Sequence, residues 1–409
     1  MAGAVHAQYE ELPYPPRDPE DERKRLVTGS PSHILEIDHY LYAGARDWSE
    51  PFRVLVAGGG TGDALIMLAQ QLADRGCPAE IHYLDLSAAS RAIAERRAAI
   101  RGLETIRFHT GSLLDAARLG AFDYVDCCGV LHHLADPAAG FRALADVVKP
   151  DGGLGIMVYG ELGRTGVYHA QEMLRMIAAE GPNPERVAVA RRLVESLPPT
   201  NWLKRNTAIG DYRGEDAALF DLLLHAQDRP YRVPELAAEL GTAGLRPVAF
   251  ITPALYDPDT FLRDPELRRR LADLTWIERC AFAELLSGHQ RKHIVYCVGR
   301  ARQDDTVARL DEPAVPVCRE IDGPAIADAI RRDGTIRISE AGLKMDIRLP
   351  PSAPSMLRLV DGRRTVGQIC ATIGAAAQSD EARRQFAATY RILNGANQML
   401  LRYPAGSAG

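Results

Sequence analysis

Residues 52 to 63 read FRVLVAGGGTGD, an apolar run that ends in a cluster of glycines. Arg53 to Ala57 have the β-branched and apolar make-up of a short parallel strand buried on both faces. Gly58, Gly59, Gly60 and Gly62 follow at once, and Asp63 to Leu72 carry apolar residues throughout, as a helix packed on a sheet does. A strand, a glycine loop and a helix in that order bring bare backbone to a ligand at a helix N-terminus, where a Cβ would obstruct the approach.

Spacing narrows the ligand. A dinucleotide fingerprint needs a small residue three places after its second glycine, and that place holds Asp63. The pattern present is G-x-G-x-G, in Gly58, Gly60 and Gly62, although a glycine-rich turn that binds nothing would share the local composition. It resembles the first motif of class I S-adenosylmethionine-dependent methyltransferases. That resemblance implies S-adenosylmethionine as cofactor, contacted by Ala57, Gly58, Gly59, Gly60, Gly62 and Asp63. One departure stands out: the family usually has an acid two places before the first glycine, and Val56 is there instead. The contact which that acid makes to the cofactor's ammonium end must come from elsewhere, with Asp63 as a candidate.

After the loop, short apolar runs alternate with helical ones. Strands are expected at Ile81 to Leu84, Thr105 to Phe108, Phe122 to Cys127 and Leu154 to Tyr159, with helices at Ala89 to Arg101 and Pro137 to Val148. Leu245 to Ile251 and His293 to Val298 complete the set. The alternation implies an α/β fold with a doubly wound, largely parallel sheet and right-handed crossovers. The resemblance implies the family's Rossmann-like seven-strand sheet.

Asp85 ends the second strand beside the glycine loop, where a carboxylate can accept both ribose hydroxyls. A helix cap is its alternative role, one that Ser87 can fill. By resemblance Leu86 lies along the adenine, and Ser112 with Leu113 takes the place of the acid that commonly meets the adenine amino group. FDYVDCCGVLHHLADP, residues 122 to 137, resembles the family's segment after the fourth strand, and Pro150-Asp151-Gly152-Gly153 adds a third match. That likeness places Cys127, Cys128 and Gly129 against the cofactor. His132 is a candidate base and Tyr159 and Tyr14 are candidate acceptor-side or cation-π groups, so these three are the expected catalytic residues. No metal site is expected: adjacent His132 and His133 rarely point the same way, and no further motif completes a ligand set.

Composition supports this class. The chain has 409 residues, 46% hydrophobic and 25% charged, with net charge -5, so nothing global attracts nucleic acid or anionic membrane. Seven scattered cysteines without a C-x-x-C pair suit reduced thiols in a cytoplasm. No apolar run approaches a membrane span, and the N-terminus lacks a signal-peptide core.

Around the sheet we expect four further parts. Residues 1 to 50 form an arm or lid, with Ser32 capping a short helix from Ile34. The methyltransferase domain spans 51 to 302 and contains a helical insertion at 160 to 232, over the strand ends, with Trp202, Tyr212, His225 and Tyr231 as candidate lining. Residues 303 to 312 are a polar linker, and 313 to 409 a small α+β domain with a hairpin around Ser339 to Gly342. LRLVDGRRTVGQI, residues 357 to 369, resembles the helix-turn-helix of winged-helix domains that bind leader peptides. From residue 303 onward fourteen Lys and Arg face thirteen Asp and Glu, too balanced for a DNA reader, so peptide recognition or homodimer contact is expected. Deleting 303 to 409 is expected to leave the nucleoside site intact.

The arm, insertion and winged domain together resemble bacterial outer-membrane-protein lysine methyltransferases. The expected activity is N-methylation of a protein or peptide side chain, lysine first. The alternatives are a small-molecule O- or N-methyltransferase and a non-catalytic binder of S-adenosylmethionine.

Overall fold

A computed structural model describes residues 2–340, 343–374 and 379–404. Seven strands form one sheet: β1 (Phe52–Ala57), β2 (Ala79–Asp85), β3 (Ile106–Thr110), β4 (Phe122–Cys128), β5 (Val148–Tyr159), β6 (Leu245–Ile251) and β7 (Lys292–Gly299). Their order is β3-β2-β1-β4-β5-β7-β6, with β1 to β5 parallel and β7 antiparallel to both its neighbours. The order reverses between β1 and β4, which opens a ligand crevice at the carboxyl ends of those strands. β1 is covered on both faces: Leu55 and Ala57 join one core with Val125, while Val54 and Val56 join another with Tyr124.

β5 begins earlier than expected, at Val148, because the helix before it ends at Ala145. Pro150 to Gly153 therefore lie inside the strand, beside a register irregularity between Phe122 and Tyr124. The insertion folds as helices Val167–Ile177, Asn183–Ser196, Trp202–Arg205 and Asp216–Leu223 around its own core of Leu174, Val187, Leu203, Tyr212 and Phe220.

The first fifty residues contain a helix the sequence did not announce, Ala2–Glu11. The next helix, Ile34–Leu41, is capped by His33, whose ring accepts the Leu35 N–H, and not by Ser32. Ser32 has φ of 81° and turns its hydroxyl into the sheet, onto Asp126 and Tyr124.

Past β7 the chain does not hang from a free linker. Ala308 N–H donates to His39 O and Thr306 O accepts from Ala43 N–H, which fastens this stretch to the arm. The remainder has strands β8 (Val315–Cys318), β9 (Thr335–Glu340), β10 (Leu343–Arg348) and β11 (Met399–Arg402). β9 pairs with β10, as the hairpin signal suggests, although its turn residues Ala341 and Gly342 lie outside the described residues. β11 pairs with β8, and Val315, Val317 and Leu400 share the core cluster that holds Val54 and Val56. Deletion of 303 to 409 would thus strip part of the sheet's own core, contrary to the expectation from sequence.

Candidate active site

A cavity of about 350 Å³ lies at the β1/β4 reversal. The glycine loop forms one wall. Gly58 has φ of +73°, and a Cβ there would come within 2.3 Å of Val130; one at Gly59 would come within 2.4 Å of the Tyr83 ring. Bare backbone is therefore a steric requirement at both positions.

The arm crosses this loop. Thr61 Oγ1 donates to Pro15 O at 2.8 Å, and Arg17 forms a two-pronged contact with Asp63, its Nε lying 2.8 Å from Oδ1. Arg97, 1% exposed, holds the same carboxylate from the other side at 2.8 Å. Burial opposes ionisation of Asp63, but the two arginines win and keep its pKa below the usual carboxylate range. Asp63 lines the cavity with its charge already matched, so it is poorly placed to serve a cofactor's ammonium.

Asp85, at the tip of β2, accepts N–H groups from Gly60 and Ser87, both at 2.8 Å. Burial pushes its carboxyl up, against those backbone donors. Ser87 caps the following helix by accepting the Ser90 N–H, which leaves Asp85 free of that duty. Leu86, Ser112, Leu113, Cys128 and Gly129 also line the cavity. Ser112 Oγ accepts the Leu114 N–H, whereas Asp115 pairs outward with Arg118. Ala57 and Cys127 lie in the core behind the wall, and Gly62 caps the helix at φ of 101°.

The far wall differs from the sequence expectation. Tyr14 and Tyr159 line the cavity, but His132 does not; its neighbour His133 does. His132 is 1% exposed, packed 4.1 Å from the Tyr159 ring, with neither ring nitrogen hydrogen-bonded. Burial drives its pKa well below the ordinary value, and no reacting group can reach it there as a base. The His133 ring edge and the Arg164 guanidinium also pack on Tyr159, at 5.6 and 3.7 Å from its centroid.

Two residues that sequence reading missed complete the wall: Tyr9 and Asp221. Tyr9 donates to Asp221 Oδ1 at 3.3 Å and Tyr159 to Oδ2 at 3.1 Å. Asp221 sits in DLLLHAQ, an acid within an apolar helical run, and that misplacement was the available signal. Of the insertion's candidate lining, His225 is buried against Tyr9 and His133, Tyr212 lies in the insertion core, Tyr231 in the main core, and Trp202 is exposed.

His133, Asp221 and His225 bring ligand-type atoms within 4.8 Å of one another. Hydrogen bonding argues against a metal held by these three side chains. His225 Nδ1 accepts the Gln227 N–H, so the neutral ring carries its proton on Nε2, beside the Tyr9 hydroxyl. His133 donates from Nδ1 to Gln227 O, so only one of the two rings offers a lone pair inward. Burial lowers both imidazoles to about 4, which leaves them neutral near pH 7.

Comparison with known proteins agrees with this geometry. Residues 55–154 match the family model of a methyltransferase domain. An uncharacterized protein of Synechococcus sp. is 33% identical over 313 residues, 73% of this chain and 72% of that protein. A ubiquinone biosynthesis O-methyltransferase of Neisseria meningitidis is 36% identical over 102 residues, and the chain spans only 41% of that relative. PKMT2 from Rickettsia typhi has the same fold, with a TM-score of 0.64 over 91% of this chain and 76% of that one, at 13% identity. A nucleoside donor fits what the cavity offers: a cradle closed to Cβ atoms, a carboxylate at the tip of β2, and the crossover crevice. The chain belongs to the class I S-adenosylmethionine-dependent methyltransferase family, and S-adenosylmethionine is its methyl donor.

Proposed function

We propose that the enzyme methylates an amine nitrogen on a protein or peptide side chain, with the lysine ε-amine as leading acceptor. The observation that carries this reading is Asp221: a carboxylate 5% exposed, lining the cavity, and hydrogen-bonded among the described residues to the hydroxyls of two neutral tyrosines. Burial raises its pKa against the weaker pull of His225, Tyr159 and Arg164, and the Arg164 guanidinium makes its ion pair with Asp228 instead, so among the described residues no salt bridge completes Asp221. A buried carboxylate without a cation is costly unless a cationic ligand completes it. A protonated amine does so; a phenol or hydroxyl acceptor brings no charge.

In this reading Asp85 would meet the ribose, the glycine loop the sugar and tail, and Leu86, Ser112 and Leu113 the adenine. The donor supplies a methyl group already activated on a sulfonium. The protein's work is then placement, exclusion of water and removal of one proton. Asp221 would hold the acceptor ammonium and take its proton, which burial favours, since a neutral acid and a neutral amine cost less to bury than two ions. Tyr9 and Tyr159, whose hydroxyl pKa values burial raises, remain protonated and fix the carboxylate's direction. Seven free thiols suit action in the cytoplasm, and no helix among the described residues is long and apolar enough to cross a membrane.

Host lysate incubated with enzyme and methyl-labelled donor, then split into protein and small-molecule fractions, tests the reading. Label in protein that survives alkali and co-migrates with methyl-lysine after hydrolysis is expected. Label confined to small molecules would favour the alternative, to which the likeness with ubiquinone biosynthesis O-methyltransferases lends support.

A further inference from the structure

The donor's amino-acid tail carries an ammonium, and a cavity that takes it out of water must offer a counter-charge. Four carboxylates line this cavity: Asp63, Asp85, Asp126 and Asp221. Asp63 is matched by Arg17 and Arg97; Asp85, which accepts the amides of Gly60 and Ser87, is assigned to the ribose, and Asp221, held by two tyrosines, to the acceptor amine. Asp126 differs from all three. Its Oδ1 accepts the Ser32 hydroxyl, and among the described residues no hydrogen bond reaches Oδ2 and no ion pair reaches the carboxylate.

Its place in the sheet is equally specific. β1 and β4 pair in parallel with Val56 opposite Asp126. Partners in a parallel pair project to the same face on strands about 4.8 Å apart. The same face is marked by Val54, Val56 and Tyr124, which pack in one cluster, and Tyr124 OH lies 3.0 Å from the Ser32 hydroxyl that meets Asp126. Val56 is the penultimate residue of β1, two before Gly58, where a side-chain acid would approach the loop; a carboxylate on Asp126 reaches that region from one strand over.

We propose that Asp126 is the counter-ion for the α-ammonium of the methyl donor, moved from the β1 position occupied by Val56 to the paired position on β4. Ser32 is its positioning residue. The Ser32 N–H donates to Tyr296 OH at 3.1 Å, and Tyr296 OH donates to Glu36 at 2.8 Å, which Arg319 and Asn397 hold at 3.0 and 2.7 Å. The arm and the C-terminal region thereby fix the direction of Oδ2.

Two ligands isolate the effect. S-adenosylhomocysteine carries the ammonium; 5′-methylthioadenosine keeps adenosine and sulfur but lacks the amino-acid tail. By calorimetry, Asp126→Asn should weaken S-adenosylhomocysteine about 10- to 100-fold, as for loss of a charged hydrogen bond, and leave 5′-methylthioadenosine within about 2-fold. Adding Val56→Asp to that variant should restore the preference for the tailed ligand. Equal loss for both ligands, or loss for neither, would overturn the proposal. A measurement on the unaltered enzyme guards against a variant that does not fold. Burial raises Asp126 to about 7; on its own strand Tyr124, Cys127 and Cys128 are pushed upward and stay neutral, and on the packed elements Tyr296 is raised as well, while burial also raises Glu36, which Arg319 holds. At pH 6.5 binding of S-adenosylhomocysteine should therefore release a large fraction of one proton more than binding of 5′-methylthioadenosine, read from heats in buffers of different ionisation enthalpy. Equal proton release would refute the assignment.

Discussion

Replacing Asp85 probes the nucleoside half of the site. Its two oxygens accept Gly60 and Ser87 amides at 2.8 Å each, and the residue lines the cavity at the tip of β2. Hydrogen bonds to a charged group contribute about 1.5 to 3 kcal/mol, so Asp85→Ala should raise the Kd for S-adenosylhomocysteine by about 10- to 150-fold. Part of that loss comes from the glycine loop, because two amides lose their acceptor. Asp85→Asn keeps one acceptor oxygen and removes the charge, so it separates loop support from contact with the ribose. Titration calorimetry with S-adenosylhomocysteine and 5′-methylthioadenosine reads both. The two ligands share the ribose and should weaken together, which distinguishes Asp85 from Asp126. An Asp85→Ala enzyme that melts like the parent and binds S-adenosylhomocysteine within about 2-fold of it would remove Asp85 from the site.

Asp221→Asn should depress kcat/KM for an amine acceptor by about 10²-fold or more, as removal of a general base does, while donor affinity stays close to the parent's. In the parent, kcat/KM should fall as pH falls, because protonating Asp221 removes the charge that holds the ammonium; the direction follows from its raised pKa, and Asp221→Asn should flatten that limb. Imidazoles at about 4 on His133 and His225 should add no step near pH 6.5. Arg319→Met leaves Glu36, 0% exposed, without its cation, and should cost about 3 to 5 kcal/mol in chemical denaturation. Deletion of 303 to 409 should be worse, since it also removes Val315, Val317 and Leu400 from the sheet's core; a cooperative melt at the parent's temperature would contradict this.

The sheet was legible because its signals are local. Strand, glycine loop and helix follow one another within about twenty residues, and each later βα unit repeats the same alternation, so six of the seven strands appear close to their expected limits and β5 starts six residues early. Asp85 was legible for the same reason, as the last residue of a strand. What escaped depends on contacts distant in sequence. Nothing near Asp63 in the chain announces Arg17 or Arg97, whose guanidinium groups cancel its charge. His132 and His133 are neighbours with opposite fates, decided by a three-residue turn that turns one ring inward to the core and one to the cavity. Tyr9 and Asp221 are 212 positions apart and meet only once the insertion folds over the strand ends. The segment from 303 reads as a linker by composition, yet its backbone is hydrogen-bonded to the arm, and β8 with β11 adds apolar residues to the sheet's core.

A crystal structure of the enzyme with S-adenosylhomocysteine tests the central claim most directly. The account predicts the ribose on Asp85, the α-ammonium within about 3.2 Å of Asp126 Oδ2, and the sulfur open toward Asp221 between Tyr9 and Tyr159. Density for the nucleoside outside the glycine loop, or a tail directed away from Asp126 with the sulfur closed off from Asp221, would contradict it.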